Sequence, residues 1–228
     1  MKNLVLNVVA IVAVFGIVAG GLIFGISGRW DLWNVWAYIA IGVALITFQT
    51  ASLYRKSPEL LMERMKMVTA GSPGRVRWTV GRASPPLSIA QWIIVGLDQR
   101  FHWSDIVPPA WVVAGLVIYA IGWGLFTWAA LMNPFFSPEV RIQSDRGQRV
   151  IGKGPYAVVR HPGYAANALA LVASPAALNS LLSIIPAVLF LAVVVRVIGI
   201  EDGMLHDELR GYADYAARVR YRLIPAIW

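Results

Sequence analysis

No charged side chain occurs between Leu4 and Ile26. A run of that length crosses a hydrocarbon core of about 30 Å when it is helical. In lipid, the helix is the form in which one segment pairs all its own backbone groups. One Lys precedes the run, no small-residue cleavage site stands out, and it exceeds a signal-peptide core, so it reads as a retained span. Leu32–Tyr54 and Trp111–Met132 repeat the pattern at full length, and so does Leu181–Ile200 apart from Arg196. Ala165–Leu178 gives roughly 21 Å of helix, short for a crossing, and Pro85–Leu97 is weaker and shorter still. Only 14% of residues are charged, against about 25% in soluble domains. The expected fold is therefore all-α, a polytopic transmembrane helical bundle of five to six membrane segments that includes a C-terminal helical hairpin.

The charges set the topology. Eighteen of the 20 Lys and Arg fall at Lys2, in residues 55–84, in residues 133–163, or in the tail together with Arg196; Arg29 and Arg100 stand apart. Six crossings with both termini cytoplasmic satisfy the positive-inside rule. Trp30, Trp33 and Trp36 read as an interfacial aromatic belt. Ser57-Pro58-Glu59 reads as the start of a surface helix reaching about Met67. The net charge of +8 lies beside apolar spans, where anionic headgroups explain it more simply than nucleic acid does. With no Cys, disulfides, thiolate catalysis and Cys-held metals drop out, and His102, His161 and His206 lack metal-ligand spacing. No metal and no nucleic acid are expected.

Polar chemistry concentrates in Gly154-Pro155-Tyr156-Ala157-Val158-Val159-Arg160-His161-Pro162-Gly163-Tyr164. Two prolines restrict its backbone, and Gly163 admits a close neighbour. Lipid supplies no partner for Arg160 or for irregular backbone, so the segment must line a pocket or lie at the membrane surface. A polar connector is the plainer reading of any one residue, though not of the set. Arg196 and Glu201-Asp202 form a second cluster, in which Arg196 alone would simply snorkel. Acids at the end of a span face an unfavourable helix dipole and require a cation unless the helix continues. From Glu201 to about Arg222 the tail reads as an amphipathic helix whose Tyr212, Tyr215 and Tyr221 resemble interfacial anchors. Asn133-Pro134-Phe135-Phe136-Ser137 reads as a loop, Asp98, His102 and Asp105 as a solvated loop on the opposite face, and His206 as solvated.

Taken in order, Gly154-Pro155-Tyr156, Arg160-His161-Pro162-Gly163-Tyr164, a helical hairpin, Glu201-Asp202-x-x-Leu205, Tyr212-x-x-Tyr215 and Arg220-Tyr221-Arg222-Leu223-Ile224-Pro225 resemble the isoprenylcysteine carboxyl methyltransferase family, a relative of the phospholipid methyltransferases. The resemblance covers about residues 130–228. It implies a membrane methyltransferase using S-adenosylmethionine, in which residues 1–228 form a single membrane domain: 1–132 as N-terminal spans and 133–228 as the cofactor-binding core. It implies a cytoplasmic cofactor pocket closed by the hairpin and the tail. Its cofactor contacts would be Gln143, Gln148, Arg149, Val150, Ile151, Tyr156, His161, Pro162, Gly163, Tyr164, Glu201 and Asp202. Arg160, Arg196 and Arg222 would orient the acceptor, although Arg196 stands five residues before Glu201 where the family pattern has four. The partners implied are membrane lipids and a lipophilic small-molecule or lipid acceptor, an isoprenylcysteine-type carboxylate first.

The residue types suit a sulfonium cofactor: carboxylates for its ammonium, amides and imidazole for its polar groups, and aromatic faces that favour a cation. Methyl transfer relies on positioning and desolvation, so a chain without Cys or metal can perform it. An amine acceptor, as in a phospholipid N-methyltransferase, would need a base such as His161 or Glu201. A sterol-type reductase using NADPH shares the Arg-His-Pro-x-Tyr core, but would need a longer groove than these short loops offer. A transporter would place its polar residues near the midplane.

Overall fold

A computed structural model of the chain describes residues 2–70, 80–104, 107–137 and 140–228, with side chains left out at 2–11, 65–70 and 81. Asp105 thus lies outside the described residues. The helices are α1 (Lys2–Ser27), α2 (Trp33–Lys56), α3 (Pro58–Ala70), α4 (Val80–Phe101), α5 (Pro109–Met132), α6 (Pro162–Ala177), α7 (Ile184–Glu208) and α8 (Tyr212–Arg218). Short 3-10 turns occupy Ser144–Arg146, Gly154–Ala157 and Leu181–Ser183. Among the described residues, Trp33–Lys56, Pro109–Met132 and Leu181–Glu208 are long and apolar enough to cross a membrane, and Val12–Ser27 of α1 is a shorter apolar stretch. The chain is a helical membrane bundle.

Hydrogen bonds identify the two ends of that bundle. At one end, Asn34 of α2 donates to the Ala177 carbonyl (3.2 Å) and Arg100 of α4 to the Ile26 carbonyl (3.1 Å). There Asn179 also accepts from Gln99 through its backbone oxygen and from Val107 N–H through Oδ1. The links α1–α2, α4–α5 and α6–α7 therefore meet. Asp98 belongs to this knot rather than to a solvated loop: it is 3% exposed and accepts from Ser104 N–H and from the Ser104 and Ser180 hydroxyls. A buried carboxylate needs such partners. His102 is exposed, as expected. The opposite end gathers α3, residues 133–137 and 140–161, α8 and the tail, with Glu63 of α3 paired to Arg141 at 2.8 Å.

Small residues set the closest packing. A Cβ at Gly115 would fall 2.5 Å from Ala177 N, and one at Gly122 would fall 2.8 Å from Ala170 N, so α5 and α6 touch backbone to backbone. Gly124, on the same helix, has nothing within 4 Å. Inside α6, Pro175 has no N–H for the Leu171 carbonyl. The Ser174 hydroxyl donates to that carbonyl instead (2.6 Å) and accepts from Gln91 of α4.

Two elements depart from the sequence-based expectation. α4 begins at Val80 and takes Pro85 and Pro86 inside it, so the helix runs well beyond Pro85–Leu97 at both ends. The tail is not one helix from Glu201 to Arg222. α7 continues through Glu201 to Glu208, because Val194, Ile198, Asp202 and Leu205 keep one buried stripe past the apolar run. The chain then turns at Gly211 (φ 82°), α8 lasts seven residues, and residues 219–228 are not helical.

Candidate active site

The loop between α5 and α6 is held open by its own amides. Asn133 accepts from Phe135 N–H at 2.9 Å, the Asx geometry that turns a chain out of a helix. Gln143 is 1% exposed; its Nε2 donates to the Phe135 carbonyl (2.8 Å) and its oxygen accepts from Arg146. Gln148 accepts from the Gln143 backbone N–H. Farther on, Tyr156 is buried beneath Asn133 and Ala129, and Tyr215 of α8 donates to its carbonyl at 2.7 Å. Pro162 then opens α6, a position where its missing N–H costs nothing. Gly163 receives the Phe136 ring: a Cβ there would lie 2.4 Å from Phe136 Cε2.

Between these walls lies a cleft enclosing about 820 Å³, part of it open to solvent. Of the expected cofactor contacts, it brings together Gln143, residues 148–151, Tyr156, residues 161–164 and Glu201, with Arg160 beside them. Glu201 is half-buried and accepts from the Tyr164 hydroxyl at 2.7 Å; the His161 ring stacks on Tyr164 with centroids 5.9 Å apart. The wall also holds Asn133, Phe135, Phe136, Arg141, Met204, Leu205, Leu209, Tyr212 and Tyr215. Asn133-Pro134-Phe135-Phe136 is therefore the roof of a cleft and not a plain loop. Tyr212 and Tyr215, 4% and 3% exposed, are walls and not surface anchors. The Tyr-x-x-Tyr spacing was the signal for them, since residues three apart share a helix face.

Three expected contacts stand elsewhere. Asp202, 1% exposed, is behind the wall, where it accepts from Arg160 Nε (2.9 Å) and Nη2 (3.0 Å), Arg222 Nε (2.9 Å) and the Tyr212 hydroxyl (2.8 Å), with His161 Nε2 at 3.3 Å. Consecutive residues on a helix diverge by about 100°, so with Glu201 in the cleft Asp202 must turn from it. Arg222 joins this cluster and crosses the Trp228 ring at 5.3 Å, outside the cleft. Arg196 is exposed on α7, away from the cleft, as its five-residue offset from Glu201 dictates. Arg160 spends its remaining nitrogen on the carbonyls of Val219 (3.0 Å) and Arg220 (2.9 Å), and backbone bonds from Arg160 N–H to Tyr221 and from His161 N–H to Arg222 fasten the tail across the site. His206 lies over Tyr212, half-exposed, and its Nδ1 meets the Asp202 carbonyl at 2.8 Å.

Burial pushes the Tyr215 phenol up to about 12 and raises those of Tyr156 and Tyr212, the latter also through its bond to Asp202. All three stay neutral near pH 7 and act as hydrogen-bond donors and aromatic faces. The cleft thus offers one half-buried carboxylate among aromatic rings, a setting for a cation.

Residues 110–206 match the model of the isoprenylcysteine carboxyl methyltransferase family. The match starts in α5, carries the whole loop and hairpin, and ends in α7 after Glu201; α1–α4, α8 and the tail lie outside it. No curated protein matches the chain.

Proposed function

We propose that the chain, whose residues 110–206 match the model of the isoprenylcysteine carboxyl methyltransferase family, uses S-adenosylmethionine to methylate the carboxylate of a lipophilic acceptor of the isoprenylcysteine kind. The observation that carries the reading is the Glu201–Tyr164 pair, in a cleft that also presents the rings of Phe135, Phe136, Tyr156, Tyr212 and Tyr215. The cofactor would supply a methyl group activated as a sulfonium. Glu201 would hold its ammonium, with Tyr164 fixing the carboxylate's rotamer and engaging one of its oxygens. Tyr212 and Tyr215 would present π faces to the positive charge. Phe135 and Phe136 would exclude water, which strengthens every electrostatic contact inside. Gly163 would let a ring approach where any side chain would stand. Arg160 and Arg222 act at one remove, since both guanidinium groups serve Asp202 and so position His161, Tyr212 and the tail.

In this proposal the cleft opens to the cytoplasm and the acceptor arrives from the bilayer. Calorimetry on detergent-purified protein tests the core of it. S-adenosylmethionine and S-adenosylhomocysteine should bind at micromolar concentration, and Glu201→Gln should weaken both at least about tenfold. A folded wild type that binds neither overturns the reading.

A further inference from the structure

Helix α3 lies outside the family match, yet it forms part of the cleft's surroundings. Leu60 and Leu61 pack with Leu53 of α2, Leu131 of α5 and Phe136, the ring that rests on Gly163 and lines the cleft. Two neighbouring residues of α3 then meet opposite fates. Glu63 is spent on Arg141, which also takes Asp145 at 2.9 Å. Arg64 holds its guanidinium carbon 5.6 Å from the centre of the Phe136 ring, and its Nη1 is buried without a hydrogen-bond partner. Among the described residues no carboxylate lies within ion-pair distance of it. Burial alone lowers this guanidinium to about 10, with no charged neighbour opposing the shift.

A buried guanidinium with an idle donor is costly, and a ring face compensates only part of the loss. Proteins keep such a group where a ligand completes it, because stability given up in the empty state is regained on binding. Resting on the methyltransferase reading, we infer that Arg64 is the acceptor-binding cation of this chain: it receives the acceptor's carboxylate beside Phe136 and makes the site prefer the acid over the methyl ester. A guanidinium suits the task because its planar fork matches two oxygens. Methylation turns the carboxylate and the sulfonium into a neutral ester and a neutral thioether without releasing a proton. The product then loses its hold on Arg64, which favours its departure. Arg196, one of the three arginines named from sequence, is exposed on α7 and lacks the burial against a cleft ring that Arg64 has.

The test uses full-length protein in phosphatidylcholine nanodiscs, with and without S-adenosylhomocysteine. It measures binding of N-acetyl-S-farnesylcysteine and of its methyl ester to wild type, Arg64→Gln and Arg64→Lys. Wild type should favour the acid over the ester by about tenfold or more, Arg64→Gln should bind the two alike, and Arg64→Lys should recover only part of the preference. S-adenosylhomocysteine affinity should be unchanged in both variants. Thermal unfolding without ligand should show Arg64→Gln at least as stable as wild type, whereas an arginine serving structure alone would lower the midpoint. A wild type indifferent to acid and ester, or an Arg64→Gln variant that keeps the preference, overturns the inference. So does a variant whose only change is weaker selection of phosphatidylglycerol over phosphatidylcholine, which would assign Arg64 to a lipid phosphate. Absence of S-adenosylhomocysteine binding in wild type would count against the methyltransferase reading alone, since the acid and ester are also compared without it.

Discussion

Glu201 and Asp202 are adjacent acids with opposite duties. Asp202 is enclosed by two guanidinium groups and a phenol, with His161 Nε2 beside it, whereas Glu201 has one phenol and faces the cleft. Removing the charge of Asp202 leaves Arg160 buried without its partner, so Asp202→Asn should cost about 3–5 kcal/mol, read as a large fall in the thermal midpoint. Glu201→Gln should leave that midpoint within about 2 °C while weakening cofactor binding. Arg196→Gln should change neither the midpoint nor cofactor affinity, because the side chain is exposed and outside the cleft. The sequence presents both acids as equivalent candidates. Which of them faces the cleft is decided by the phase of α7, and that phase became visible only through Ile198 and Leu205, which bury the same stripe as Asp202. Arg64 was illegible for a related reason: in sequence it is one cation of a basic loop, and only packing shows that Arg141 has taken the neighbouring acid.

The helices themselves were largely written in the apolar runs, since α2, α5 and the membrane part of α7 fall where uncharged length requires them. What hydropathy could not supply was the polar register of the ends. Asp98 looked solvated because its partners, Ser104 and Ser180, come from separate links. The α5–α6 seam gives the sharpest contrast among the elements. Gly122→Ala would press a methyl group onto the backbone of α6 and should cost about 1–3 kcal/mol, seen as a lowered thermal midpoint. Gly124→Ala meets nothing within 4 Å, so it should be neutral or slightly stabilising through helix propensity. Gly163→Ala acts on function instead: Phe136 must swing away, and cofactor affinity should fall more than stability does.

For the molecule as a whole, nearly all the cations were grouped on one side from sequence, and three of those segments, α3, the α5–α6 loop and the tail, are bonded together at the cleft end. Because the chain has no Cys, single-cysteine variants report sidedness without background. Asp145→Cys at the cleft end and His102→Cys at the other should label from opposite sides of sealed vesicles, Asp145→Cys from the cytoplasmic side. Labelling of both from one side would contradict the alternating crossings.

The backbone bonds from Arg160 to Tyr221 and from His161 to Arg222 also impose an order on biosynthesis. The earlier spans can enter the bilayer while the ribosome is still adding residues, but the wall formed by α8 and its anchoring strap cannot close until residue 222 has emerged. A nascent chain is thus inserted before it is competent. Arrest a few codons before that point should yield a membrane-integrated polypeptide that, on the proposed function, cannot retain S-adenosylmethionine.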